Sequence, residues 1–141
     1  MKNNSGFSLV ELIVVIAIMA FLAGVAVPTY SKYIAKAKDA NVVAELDAVK
    51  TAAMGAAVSE GETLTSIVVA SDGSITANTN GADGKADIST FYDGTTTGGV
   101  TKLRVTIDTT NSTYKSGAVW VPAANTAVDG KTYAAAGWNA K

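Results

Sequence analysis

Residues Phe7–Val27 form one apolar run, and Glu11 is the only charge in it. A short polar leader, Met1–Gly6, precedes the run and carries a single lysine, Lys2. As an α-helix rising 1.5 Å per residue, roughly 21 such residues extend about 31 Å, the thickness of the hydrocarbon core of a bilayer. A carboxylate in that environment is expensive, and a chain normally keeps one there for a specific partner. This segment therefore constrains the fold more than any other. It must be helical, because only a helix satisfies its own backbone groups in lipid.

Two simpler explanations fit less well. A secretory signal peptide would find a small-x-small cleavage site at Gly24-Val25-Ala26, but Glu11 interrupts the apolar core such a peptide needs, and the leader is only weakly basic. A plain membrane anchor leaves Glu11 without a purpose. A lipoprotein is excluded, since the sequence contains no cysteine to acylate.

The residues Gly6-Phe7-Ser8-Leu9-Val10-Glu11-Leu12, the apolar helix behind them and Pro28 near its far end closely resemble the N-terminus of type IV pilins and their pseudopilin relatives. The resemblance covers residues 1–35. It implies a prepilin leader over residues 1–6, cleavage by a membrane prepilin peptidase between Gly6 and Phe7, and methylation of the new Phe7 amine. It further implies assembly through Phe7, Glu11 and Pro28 into a helical homopolymer at the cell surface. The partners would be other copies of the chain, the prepilin peptidase and the pilus assembly machinery, with the membrane holding the precursor. No enzyme activity, cofactor or metal is implied for the subunit. Within a bundle of such helices, the Phe7 amine of one subunit and the Glu11 carboxylate of another are each costly alone and favourable together. A subunit seated at the wrong height leaves both charges unpaired, so the pair acts as a register device. Many pilins of Gram-negative bacteria close their C-terminal region with a disulfide, and the lack of cysteine here points to a disulfide-free, Gram-positive-type or similar member.

Composition narrows the chemistry. A formal charge of −1 supplies no basic surface for nucleic acid. With neither histidine nor cysteine, the usual metal ligands and the usual catalytic base are missing. Asn78, Asn80, Asp83 and Asp87, threaded with Gly81 and Gly84, loosely resemble an oxygen-rich calcium loop, but the spacing departs from the EF-hand pattern. Asn111-Ser112-Thr113 is formally a glycosylation sequon.

The expected fold is α+β: a long N-terminal helix, half transmembrane and half amphipathic, packed on an antiparallel β-sheet head. Residues 7–28 form the transmembrane half, 29–61 the amphipathic half and 62–141 the head. Pro28 predicts a kink or local melting around Gly24–Pro28, and Gly61 a C-terminal stop. Gly55 weakens the last turns. At 100° per residue, Val42, Leu46, Val49, Ala53 and Ala57 share one face and make a core wall. Tyr30, Ile34, Ala37, Asn41, Ala44, Ala48 and Ala52 follow a second line, which either maintains helicity in solvent or packs against neighbouring subunits. Lys32, Lys36, Lys38, Asp39, Glu45, Asp47 and Lys50 are expected on the charged surface. In the head, Thr63–Ala70 reads as a strand, residues 71–99 as loop with a short helix or strand at Ala86–Tyr92, and Val100–Thr109 with Tyr114–Val121 as a hairpin turning at Asn111-Ser112. Lys131–Trp138 reads as a last strand, with Trp138 anchoring the C-terminus.

Two other functions share these features. One is a pseudopilin of a type II secretion or competence system, using the same helix in a short filament. The other is an exported binding or adhesin domain on an ordinary signal peptide.

Overall fold

The computed structural model describes residues 6–141, so leader residues 1–5 lie outside it. A single helix, α1, runs from Leu9 to Ser59. The chain divides into two units, one ending at Ala35 and one comprising Lys36–Lys141. In the first unit α1 passes through Pro28 without a break, so of the expected kink or local melting at Gly24–Pro28 the melting does not occur. Proline removes the donor that would meet the Gly24 carbonyl. Nearby hydroxyls add contacts to the ladder, as Thr29 Oγ1 donates to the Val25 carbonyl (3.1 Å) and Ser31 Oγ to that of Val27 (3.1 Å).

The second unit begins with the last turns of α1. These end where Gly61 adopts φ 72°, a left-handed conformation that glycine accepts without a Cβ clash. The Glu62 amide donates to the Ala57 carbonyl and the Gly61 amide to that of Val58, the paired bonds of a Schellman motif. Gly55 does not fray the end. The Phe91 ring rests on it, and a Cβ there would lie 3.2 Å from that ring.

Nine short strands follow: β1 Leu64–Ala70, β2 Ile75–Thr79, β3 Lys85–Ala86, β4 Thr95–Thr97, β5 Val100–Lys102, β6 Gly117–Val121, β7 Thr126–Val128, β8 Lys131–Tyr133 and β9 Gly137–Ala140. Five make an antiparallel sheet in the order β3-β2-β1-β6-β9, while β4–β5 and β7–β8 form separate hairpins. One face of the sheet meets α1. Val42, Leu46, Val49, Ala53 and Ala57 are all buried there with Ile67, Val69, Ile75, Ala77, Ala118 and Trp120. The other face is covered in part by the β7–β8 hairpin, whose Val128 and Tyr133 pack on Val119 and Val121. With cover on both faces, every residue of β6 is buried.

Several expectations are corrected. Residues 71–99 are not simply loop: Ile75, Ala77 and Thr79 are buried in alternation with Thr76 and Asn78, and polar composition hid a strand that pairs with β1. Ala86–Tyr92 is neither a helix nor a strand beyond Ala86. The expected hairpin of Val100–Thr109 with Tyr114–Val121 is absent, since β6 pairs with β1 and β9. Leu103 and Ile107 are buried as their alternation suggests, but against α1 and the sheet rather than in a ladder. The last strand is two: β8 pairs with β7 across Asp129-Gly130, and β9 sets Trp138 opposite Trp120.

Glu45 is the largest correction. Expected on the charged surface, it is only 7% exposed. Its carboxylate takes the Arg104 guanidinium through both oxygens (Nε–Oε1 2.7 Å, Nη2–Oε2 3.0 Å). The Tyr92 hydroxyl also donates to Glu45, and accepts the Arg104 backbone N–H at 3.2 Å. Six residues earlier on α1, Asp39 accepts Ser112 Oγ (2.6 Å) together with the amide and hydroxyl of Thr113 (3.1 and 2.8 Å). Segment 103–114 is thus strapped to α1 by two carboxylates instead of being laddered into the sheet.

This predicts acid sensitivity. The Arg104 hydrogen bond holds the Glu45 carboxyl below its ordinary range, against the opposing effect of burial, and the Ser112 hydroxyl does the same for Asp39. Depressed folded-state values give stability that is complete above the unfolded carboxylate values, about 4, and lost as pH falls through the lower folded ones. In chemical denaturation of a fragment beginning at Thr29, the midpoint should hold between about pH 5 and 7 and fall below pH 4. Glu45→Gln should lower the midpoint at neutral pH and flatten the acid limb. An unchanged acid limb would show that Glu45 is not a pin.

Candidate assembly site

The segment Gly6–Glu11 begins outside the helix and ends in its first turn. Phe7 is 85% exposed, and Gly6 has open space where a Cβ would stand. Ser8 sits one residue before α1 and caps it. Its Oγ accepts the Glu11 amide at 3.2 Å, and the Glu11 carboxylate reaches back to accept the Ser8 amide through Oε2 at 2.9 Å. Two amides that the helix itself leaves unpaired are thereby satisfied reciprocally, which is a capping box. Sequence reasoning treated Glu11 only as a charge awaiting a neighbour and missed this. The Ser-x-x-Glu spacing of Ser8 and Glu11 ahead of an apolar run was the available signal.

The structure places Phe7 and Glu11 at the same helix start and Pro28 well along the helix, so the three do not converge within one chain. Between them, α1 is long and apolar enough to cross a membrane. Most of its large side chains, among them Leu12, Ile16, Met19, Phe21 and Leu22, are more than half exposed in the isolated subunit. Apolar exposure on this scale marks a surface that lipid or another protein covers.

Other candidate residues have local employment. Asn78 Nδ2 donates to Ser66 Oγ (2.9 Å), Asn80 Oδ1 accepts the Thr63 amide (2.7 Å), and Asp87 Oδ1 accepts the Ser89 amide (2.9 Å). Among the described residues, no group of three or more acidic side chains is arranged to hold a metal ion. In the sequon, Asn111 Nδ2 lies 3.4 Å from an Asp108 oxygen and the Thr113 hydroxyl is bound to Asp39.

The second line of α1 divides. Ala52 is buried in the core and Ala48 packs against it, whereas Tyr30, Ala37, Asn41 and Ala44 remain exposed. Only the earlier part of that line is open to a neighbouring chain.

Comparison with known proteins agrees with this geometry. The family described as "Prokaryotic N-terminal methylation motif" matches residues 1–27. Fimbrial protein Q of Moraxella bovis is 49% identical over 63 residues, covering 45% of this chain and 40% of the relative. A fimbrial protein of Pseudomonas aeruginosa is 40% identical over 72 residues, covering 51% and 46%. The type IV major alpha-pilin of Moraxella bovis is 48% identical over 63 residues, covering 45% and 39%. The match therefore spans less than half the length of each of these relatives. No solved structure matches the chain significantly. The chain is thus similar over part of its length to fimbrial proteins and a type IV major pilin, and its own sequence contains no cysteine.

The capping box has a measurable consequence. Ser8→Ala removes one of its two bonds and should loosen the first turn of α1 by about 1 kcal/mol, the ordinary worth of such a cap. Amide exchange in detergent micelles should show the Glu11 amide exchanging faster, with the amides beyond Ile16 unchanged. Equal protection of the Glu11 amide in both proteins would remove the cap from the account.

Proposed function

We propose that this chain is the structural subunit of a type IV pilus. It is made as a membrane-held precursor, cut between Gly6 and Phe7 by a prepilin peptidase, and methylated on the Phe7 amine. It is then polymerised by the pilus machinery through its apolar helix into a filament at the cell surface. The observation that carries the reading is the arrangement of an open Gly6-Phe7 junction directly ahead of a capped apolar helix bearing one carboxylate. A cut there leaves Phe7 as the first residue, four positions before Glu11.

The physical logic of assembly follows. A subunit in the bilayer has its helix solvated by lipid and its Glu11 partly satisfied by Ser8. In a bundle of copies, the helix exchanges lipid for other helices, an exchange with little hydrophobic driving force, so packing and polar pairing decide the register. The Phe7 ammonium of one copy and the Glu11 carboxylate of another supply that pairing. The capping geometry suits this role, because the Ser8 amide engages Oε2 and leaves Oε1 with lone pairs to offer. The names of the relatives, fimbrial proteins and a type IV major pilin, favour a displayed pilin over a secretion pseudopilin.

Mass spectrometry of the mature protein tests the processing step. The expected N-terminal residue is Phe7 carrying one additional methyl group. A mature chain beginning near Val27 would instead mean signal-peptidase processing, and the pilin reading would be lost.

A further inference from the structure

The end of the apolar run, still within the first unit, has a chemistry of its own. Tyr30 and Tyr33 follow Val27 within two turns on α1, and they are 68% and 66% exposed. Lys32 stands between them and is the first charged residue after Glu11. At roughly 100° per residue, Lys32 lies about 200° and Tyr33 about 300° round the helix from Tyr30. Aromatic and cationic groups are therefore spread round the cylinder and not gathered on one side. A protein partner covers one face of a helix, whereas a layer that the helix passes through surrounds it.

The hydroxyl groups beside these residues suit the same layer. Thr29 Oγ1 donates to the Val25 carbonyl and Ser31 Oγ to that of Val27, so the helix itself satisfies both and they cost little at the margin of hydrocarbon. Tyrosine combines an apolar ring with a wet hydroxyl end, and such side chains collect at the headgroup level of a bilayer. A lysine at that level extends its ammonium to the phosphates. Spacing adds a second argument. Tyr30 lies 19 residues after Glu11, about 28 Å of helix, against about 30 Å for the hydrocarbon core.

We propose that Tyr30, Lys32 and Tyr33 form a belt that docks α1 against the phospholipid headgroups of the bilayer and sets its depth, so that Glu11 reaches the headgroup layer on the opposite side. The inference rests on the membrane-held precursor stage of the function proposed above and says where that precursor sits. A helix placed by apolarity alone would centre the Phe7–Val27 run, with Glu11 about 6 Å inside the hydrocarbon edge. The belt puts Tyr30 at the edge in place of Val27, which shifts the helix by about one turn toward its N-terminal side. Glu11 then keeps the Ser8 amide and gains water or headgroup donors as well, which lowers the cost of carrying a carboxylate in the precursor. The same seating leaves the Gly6-Phe7 junction beyond the hydrocarbon.

The chain contains no cysteine, so an introduced one can carry a nitroxide spin label at a single site. Val10→Cys, Ala23→Cys, Ala26→Cys and Ser31→Cys each replace an exposed side chain. With the full chain in vesicles of phosphatidylethanolamine and phosphatidylglycerol, the relative access of oxygen and of a water-soluble nickel complex gives the depth of each label. The Ala23 label should lie in hydrocarbon, and the Val10 and Ser31 labels in the two headgroup layers. Tyr30→Ala with Tyr33→Ala should let the helix centre its apolar run. The Val10 label then becomes several-fold less accessible to nickel and the Ala26 label more accessible, and Tyr30→Trp with Tyr33→Trp should restore both. Unchanged depths in the alanine variant, or a Ser31 label sunk in hydrocarbon, overturn the belt while leaving the membrane-held precursor intact. If the alanine variant keeps its depth and yields fewer fibres, the tyrosines serve a neighbouring copy and the proposal fails. Labels that all remain in water overturn the membrane reading, and the belt with it.

Discussion

Residues 9–27 present a helix whose apolar side chains face outward, and the proposed function depends on the need to cover them. Each large aliphatic side chain left in water forgoes roughly 1.5–3 kcal/mol of burial, and the run contains many of them. That cost excludes a free soluble subunit. It leaves lipid or another protein to cover the helix, and the proposed function moves the chain from lipid into a bundle of like helices. Glu11 is tolerable in either only if its oxygens have donors. The Ser8 amide provides one within the chain, and the proposed Phe7 amine of a neighbour provides the other.

The second unit meets a different constraint, a small core with no disulfide. Its sheet is short-stranded, and alanines at 52, 53, 56 and 57 let α1 approach the sheet closely. Segment 103–114 has no sheet partner beyond Lys102, and the helix holds it by charge-assisted hydrogen bonds to Asp39 and Glu45. Burying a carboxylate is costly unless its partners are well placed. Here the guanidinium, the Tyr92 hydroxyl and the Arg104 amide all converge on it or on one another. Tyr92, whose pKa burial raises to about 12, remains a donor at any physiological pH. The same arrangement sets the half-exposed Phe91 ring on the helix at Gly55.

Helical periodicity made the core wall readable, because Val42, Leu46, Val49, Ala53 and Ala57 have no competing arrangement at 100° per residue. Gly61 and β1 were equally readable from local chemistry. Pairing partners were not. Leu103, Val105 and Ile107 alternate as in a strand, but alternation says only which side is buried, and α1 took the place of a strand partner. β2 was hidden because Thr76, Asn78 and Thr79 resemble loop composition. Glu45 was misplaced because a glutamate on an amphipathic helix is usually solvated, and its partner lies 59 residues away in sequence. At the candidate assembly site, the Gly6-Phe7…Glu11 pattern was legible as a motif. The capping box was equally legible in Ser8-x-x-Glu11, although a carboxylate in an apolar run points first to a partner in another chain.

The central claim is that Glu11 registers subunits through the Phe7 amine of a neighbour, and co-expression of a Glu11→Ala variant with the unmodified chain tests it most directly. The quantity to measure is the ratio of variant to unmodified subunit in sheared fibres, relative to the same ratio in the membrane. The substitution makes the segment more apolar, so insertion should be undiminished. The account predicts variant protein abundant in the membrane and depleted in the fibres, with Glu11→Asp intermediate. Equal ratios in the two fractions would contradict it and leave Glu11 as a helix cap alone.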